Sequence, residues 1–546
     1  MKLTRKLFVL IIILSLVFTF SACSGNSSSN ELNMNVCIAG EPETLDPALN
    51  SVVDGAIMLN HMFEGLMKWE DDGNGNAQIT YGQAETYTIS DDGTVYTFVL
   101  RDDAKWSDGK AVTAQDFVYS WQRLVDPQTA AIYSYILEPV LNAVDIMYGE
   151  KDPNELGIKA IDDQTIEVTL STPVTYFTEI CAFPATFPVR EDIIEESGDQ
   201  WTFDVNTYIG NGPYKMSEWV HNSYLLMEPN ENYYGISEIG PSSIKFNFIE
   251  DSNSILAAYN NNELDFIQSV PINEIKTLLD NNELKVADLL STYALTFNNQ
   301  IEPFNDTRVR EAFSLVIDRN YIVNQITQTG EVAATGFIPS GVLDAKGVGN
   351  DDFRIVGGDY YSVEEEDYES NCQKARQLLA EAGYPEGEGF PIVEYMYVTS
   401  SDNEAIAEAL QNMWKTELGV TVTISNQEGS VYGQSLMEGA YQIAAFSWLP
   451  DYNDPITFLD MWGSDSGSNL AHYSNESYDS LIAQIKSNQN QEERMTLMHE
   501  AEDILIGQDY VIAPLYFDTQ TYMFNQEIKG MYYTPLGYFF FINCTY

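Results

Sequence analysis

Residues 94–127 read TVYTFVLRDDAKWSDGKAVTAQDFVYSWQRLVDP, and three kinds of local order follow one another within them. TVYTFVL at 94–100 is rich in β-branched and aromatic side chains with partial alternation, which predicts a strand. WSDG at 106–109 is a turn signal. TAQD at 113–116 places an acid three residues after a threonine, the pattern of a helix-starting cap, and the helix it opens closes before Asp126 and Pro127. Strand, turn and helix in one short span predict a mixed α/β fold.

The rest of the chain repeats this alternation. Residues 305–319 place Val309, Ala312, Phe313, Val316 and Ile317 on one helical stripe, which predicts an amphipathic helix. Residues 372–382 read as a helix stopped at Gly383 with Pro385 beyond it. Residues 405–418 read as another, halted by Gly419 and followed by a strand over 420–424. Residues 32–39 look strand-like, and the chain ends in the aromatic-rich YFFFINCTY at 538–546. There is no internal repeat and no low-complexity block beyond a short tether near the N-terminus.

At 546 residues the chain is long enough for about three or four domain-sized units. It is 44% hydrophobic and 12% aromatic, so its acidity is not a mark of disorder. A formal charge of −56 repels phosphate backbones and anionic lipid and argues against nucleic-acid binding. It would draw in cationic solutes, although a charged coat for solubility is the simpler reading.

MKLTRK opens the chain, and the apolar run at 7–20 is broken only by Ser15 and Thr19. At about 1.5 Å per residue this run is too short for a bilayer core of roughly 30 Å, so 1–22 reads as a signal peptide. FSAC at 20–23 resembles a bacterial lipobox, which implies a diacylated Cys23 as the mature N-terminus. Residues 23–30 then read as a flexible tether. The expected location is the extracellular face of the bacterial cell membrane, lipid-anchored at Cys23.

Cys37, Cys181, Cys372 and Cys544 remain. Four cysteines allow three pairings, and the sequence does not choose among them. No CxxC occurs, which excludes a zinc ribbon or a thioredoxin-type site, and isolated buried thiols are the default expectation.

Catalytic signatures are missing. None of His61, His221, His472 and His499 sits in HExxH, and no two are three or four apart, which argues against a helical zinc site. There is no GxSxG and no P-loop. Gly73 and Gly75 start a dinucleotide fingerprint that lacks its third glycine. DYND at 451–454 starts like a calcium loop, but Pro455 occupies a ligand position. With 82 acids, paired carboxylates are mostly bystanders. The expectation is a binding protein without cofactor or metal rather than an enzyme. Asp451, in FSWLPDYNDPITFLD at 446–460, stands out between Trp448 and Tyr452. As a residue it suits a catalytic acid, a metal ligand, a solvated turn charge or the counter-ion of a bound ammonium group.

A set of short motifs carries a resemblance over essentially the whole mature chain. They are LDP at 45–47, FEG at 63–65, KWSDG at 105–109, AQDFVYSWQRLVDP at 114–127, KAIDD at 159–163 and NGPY at 211–214. NNQ at 298–300, PFND at 303–306, LAEAGY at 379–384 and DYNDP at 451–455 complete the set. Together and in this order they resemble extracellular solute-binding protein family 5, the oligopeptide-binding lipoproteins of peptide ABC transporters. The resemblance implies a two-lobed, periplasmic-binding-protein-like α/β fold of the cluster C type, with a third, smaller domain and the ligand enclosed between lobes. It divides the chain into a discontinuous lobe I (31–63, 191–290 and 519–546), a smaller domain II (64–190) and lobe III (291–518). It also implies partners: a peptide ligand, the permease and ATPase subunits of an ABC importer, and the membrane through the lipid anchor. A monomer is expected.

Under this resemblance Asp451 matches the aspartate that meets the peptide α-ammonium. Main-chain partners come from Ala445, Ser447 and Leu449 in 445–449 and from around Val53, so that the peptide adds as a strand. Trp448 and Tyr133 are implied pocket walls, and Gln268 an amide contact. Where relatives supply basic groups for the peptide C-terminus, this chain has Thr327, Glu404, Leu436 and Ala445. Gly429 stands in place of a tryptophan, and Ser291 and Leu449 in place of a disulfide. The pattern implies a ligand recognised through its amine and not through its carboxylate, a longer or cationic peptide. An oligosaccharide stacked on Trp448, or a carboxylate-pair hydrolase, are the alternative readings.

Overall fold

A computed structural model describes residues 31–38, 40–345 and 352–546; the signal segment 1–22, Cys23 and the 23–30 tether lie outside them. The strand expected at 94–100 runs Val95–Leu100, with Tyr96, Phe98 and Leu100 buried on one face. Gly109 reverses the chain at φ +87°, its N–H donating to the Trp106 carbonyl at 2.9 Å. A helix follows over Ala114–Val125. The Asp116 carboxylate accepts the Thr113 N–H at 2.7 Å and its hydroxyl at 3.0 Å, which satisfies a donor that the helix start leaves free. Phe117, Trp121 and Leu124 bury one helical face. The strand is central in a four-stranded antiparallel sheet with Ala84–Ile89, Thr165–Thr169 and Ile158–Ala160.

A second sheet of eleven strands organises the rest. One half holds Asn33–Cys37, Tyr214–Val220, Tyr224–Pro229, Ser243–Asn247 and Phe266–Ile267. The other holds Ile443–Trp448, Val393–Val398 and Val422–Gln427, and the eleventh strand, Val332–Ala333, pairs to the side with Ile512–Phe524. Two thirteen-residue strands, Lys285–Phe297 and Ile512–Phe524, lie side by side between the halves and pair with members of both. Their register breaks in the middle. Asp288 faces Thr519 and Thr292 faces Phe517, so three residues stand opposite the single Asp518. Such a bulge bends the strands and raises their twist.

The aromatic C-terminal run closes onto the first half. Phe539–Phe540 pairs with Tyr532–Tyr533, and the Phe541 N–H donates to His61 Nε2 at 3.1 Å. His61 lies on the helix Val53–Met62. Burial drives its pKa down to about 4, so its ring is neutral and free to accept that bond.

Several expected boundaries move. The helix expected over 305–319 ends at Leu315. The Asp318 carboxylate caps a new turn, Arg319–Tyr321, by accepting the Tyr321 N–H at 2.9 Å, and a local cap of this kind competes with helix continuation. The stripe from Val309 to Ile317 is nevertheless buried. The helix expected at 372–382 covers Tyr368–Glu381. The one expected at 405–418 starts earlier, at Ser401, because Ser400 caps it, and it stops at Gly419 with φ +71°. The next strand begins at Val422 rather than 420. All four described cysteines are buried and free.

Asp518 fills the bulge and accepts hydroxyl hydrogen bonds from Ser291 and Ser447. Burial lifts its pKa to about 6 against the opposing effect of those hydroxyls. The folded protein therefore holds a proton there that the unfolded chain has released, and stability falls as pH rises from about 4 through about 6. Asp518→Asn keeps a carbonyl acceptor for the serines and carries no charge. It is predicted to raise Tm at pH 7 and to change it little at pH 4; equal changes at both pH values would contradict this assignment.

A candidate ligand site at an open strand edge

The strand Ile443–Trp448 is fully paired on one side, where Thr292 to Phe297 face it. Its other side pairs with Val393–Val398 only at Ile443 and Ala444. From Ala445 onward the two strands part, and among the described residues that edge carries no further strand. A cavity of about 400 Å³ opens there, walled by Tyr293, Tyr432, Leu436, Phe446, Trp448 and Met461 among others. Ala445 is buried, and its carbonyl accepts the Tyr432 hydroxyl. Ser447 is exposed and its hydroxyl reaches Asp518. Trp448 is half-buried, with an indole N–H that is buried and has no acceptor among the described residues. Leu449, one residue beyond the Thr292–Trp448 pair, is half-buried, and the Ser291 hydroxyl lies 2.9 Å from that of Ser447.

The strand runs out into the loop that holds Asp451. Asp454 and Arg494, both nearly buried, make a two-pronged pair at 2.7 and 2.8 Å, and Asp454 also accepts the Ile456 N–H at 3.0 Å. That pair pins the loop from one side. From the other, Tyr452 stacks on Tyr176 at 4.2 Å between ring centres and 4° between planes, while the Asn453 N–H donates to Glu179 at 2.7 Å. Burial pushes the Glu179 carboxyl up to about 7.

Asp451 itself is half-buried and accepts the Tyr135 hydroxyl at 2.8 Å. Burial raises its pKa to about 6; the Tyr135 hydrogen bond opposes the rise, and the charge of Asp460 adds to it. Asp460 has its own cation in Lys486 at 3.1 Å. Among the described residues Asp451 forms no ion pair. Water is partly withdrawn from a carboxylate that has one hydroxyl donor and no positive partner, and such a group favours an incoming cation.

The other expected residues distribute unevenly. Tyr133 lies beside Asp451 but packs on Phe183 and Tyr135, at 5.0 and 5.7 Å between rings; the hydroxyl on the carboxylate is that of Tyr135. Val53 opens the helix Val53–Met62, whose first-turn N–H groups have no intrahelical acceptor. Gln268 follows Phe266–Ile267, its N–H donating to the Cys37 carbonyl at 3.3 Å. Gln268 stands at the far half of the large sheet and Val53 on a helix, both without a hydrogen bond or ring contact to the Asp451 group among the described residues. Thr327 donates to Glu331 at 2.9 Å, Glu404 is exposed, Leu436 and Ala445 line the cavity, and Gly429 opens the helix Gly429–Met437. Tyr135, Tyr176, Glu179, Arg494 and Asp518 escaped the sequence reading. Among the described residues no group of three or more His, Cys, Asp or Glu could hold a metal ion, and no helix is long and apolar enough to cross a membrane. Removing one partner of a buried pair leaves the other charge uncompensated, so Arg494→Met is predicted to cost about 3–5 kcal/mol in denaturant unfolding. A loss of under about 1 kcal/mol, typical of a surface pair, would contradict the pinning role.

The profile of bacterial extracellular solute-binding proteins, family 5 Middle, matches residues 78–469. The chain is similar to the periplasmic oligopeptide-binding protein OppA of Salmonella typhimurium, 36% identical over 482 residues that cover 87% of this chain and 85% of that one. It is similar to the dipeptide-binding protein DppE of Bacillus subtilis, 32% identical over 554 residues and 98% of each chain. The solved structure of the Escherichia coli murein tripeptide binding protein MppA matches with a TM-score of 0.78 at 33% identity, covering 93% of this chain and 96% of that one. With the open edge, the enclosed carboxylate and a matching bilobed fold, the chain belongs to the bacterial extracellular solute-binding proteins of family 5.

Proposed function

We propose that this protein captures oligopeptides by holding their α-ammonium group against Asp451 and pairing their backbone with the open edge at 445–449. It hands them to the permease and ATPase subunits of an ABC importer. The observation that carries this reading is the Asp451 carboxylate, half-buried, bonded to Tyr135 and without a cation among the described residues. An ammonium supplies the missing charge, and a charge-assisted hydrogen bond of this kind contributes about 1.5–3 kcal/mol. The unpaired strand edge beside it supplies backbone donors and acceptors of the kind that strand addition uses. The peptide ligands in the names of the related OppA, DppE and MppA proteins favour the same class.

The division into lobe I (31–63, 191–290, 519–546), domain II (64–190) and lobe III (291–518) belongs to this proposal. It is supported by the register break in the two long strands, whose irregular stretch from Asp288 to Thr292 spans the boundary at 290 and 291. Val53 and Gln268 then lie on lobe I, facing a peptide from the opposite side. Export by the 1–22 segment, anchoring through Cys23 and action as a monomer complete the proposal, supported by the FSAC signature and the extracellular family.

Calorimetry on a free peptide, its N-acetyl form and its C-terminal amide tests the anchor. Acetylation and Asp451→Asn are each predicted to cost about 2–5 kcal/mol, and amidation little. Equal loss on both ends would contradict amine recognition, and a saccharide that binds while peptides do not would replace the ligand class. The pH profile follows from the same charges. Without ligand the carboxyl holds its proton below about 6, and a bound ammonium must expel that proton; above about 8 the α-amine loses its own. Affinity is predicted to peak between these limits and to decline on both sides. A flat profile from pH 5 to 7 would contradict the assignment.

A further inference from the structure

We infer that the cavity beside the open strand edge is a selectivity pocket for one large apolar side chain of the captured peptide, close behind its amino terminus. The inference rests on the peptide reading above and adds the class of peptide. The cavity measures about 400 Å³, and none of its lining residues is charged. Both tyrosines and the asparagine in its wall are engaged with neighbouring groups. The Tyr293 hydroxyl donates to Asn403 at 2.9 Å, the Asn403 amide donates to the Val398 carbonyl at 2.9 Å, and Tyr432 donates to the Ala445 carbonyl. Beside Ser447 and Ser468, the rest of the lining is mainly aliphatic and aromatic, with Leu436, Met437, Phe446, Met461 and Leu470. The buried indole N–H of Trp448, without an acceptor among the described residues, is the donor left for a backbone carbonyl of the occupant.

Charge excludes other occupants. No lining residue is charged, and Ser447 in the wall is bonded to the Asp518 carboxylate, so an anionic side chain or a C-terminal carboxylate finds no cation there. A lysine or arginine would bury its charged end against Leu436 and Met461 with no counter-ion in the wall. The position along the peptide follows from chain geometry. Trp448 is three residues from Asp451, a reach of at most about 11 Å. An extended peptide rises about 3.3 Å per residue, so residue 2, 3 or 4 reaches the opening when the amine sits at Asp451.

The test uses the mature chain and penta-alanine peptides in which residue 2, 3 or 4 is changed singly to Phe, Lys or Asp, with affinities measured by calorimetry. At one of the three positions Phe is expected to tighten binding by about 10- to 150-fold, with no gain from Lys or Asp. Leu436→Asp is expected to turn the gain at that same position from Phe to Lys. Affinities within twofold of penta-alanine for every substitution, with N-acetylation still weakening binding, would overturn the pocket and leave the peptide reading standing. A larger gain from Lys than from Phe in the unmodified protein would overturn it too. If no peptide binds, both readings fall.

Discussion

A carboxylate partly removed from water without a cation is costly, and the fold holds Asp451 in that condition with some effort. Its loop is fixed from behind by the buried Asp454–Arg494 pair and from across the cleft by the Tyr176–Tyr452 stack and the Glu179–Asn453 bond. Tyr135 gives it one hydrogen bond and no positive charge. None of these supports is a cation for Asp451 itself. In the proposed role the energy held there is returned when an ammonium arrives, because the ligand satisfies what the protein alone leaves unsatisfied.

The sheet explains how the two halves are joined at the site. Strands Lys285–Phe297 and Ile512–Phe524 serve both halves of the molecule, and the three-against-one bulge at Asp518 interrupts their ladder midway. A bulge of this kind bends the strands and raises their twist, which turns one half relative to the other. Strand Ile443–Trp448 leaves its neighbour after Ala444, which creates both the open edge and the apolar cavity. One divergence of two strands thus supplies a backbone template and a side-chain pocket together.

Much of the fold was legible because its signals are local. The Thr113–Asp116 cap, the Gly109 turn and the Gly419 stop follow from backbone chemistry within a few residues, and each lies where the sequence puts it. The break at Leu315 was missed because Asp318, readable as an ordinary exposed acid, caps a separate turn. At the site, Asp451 and the edge at 445–449 were reached through a motif resemblance. Tyr135, Tyr176 and Glu179 carry no such signal, since they meet 451–453 across more than 270 residues of chain. Tyr133 is read as a pocket wall through the same resemblance, and nothing in YSY at 133–135 marks the Tyr135 hydroxyl as the partner of Asp451. Asp518 was invisible for a related reason, for only a register break turns a strand residue into a bulge residue.

The most direct test of the account is the pKa of Asp451, followed by carbon-13 NMR of its carboxyl with and without peptide. Without ligand the account predicts a value near 6, well above the ordinary 3.8. A peptide with a free amine should bring it below 3.8, and the N-acetylated peptide should not. A titration near 3.8 in the free protein, or one that the free-amine peptide does not move, would contradict the account.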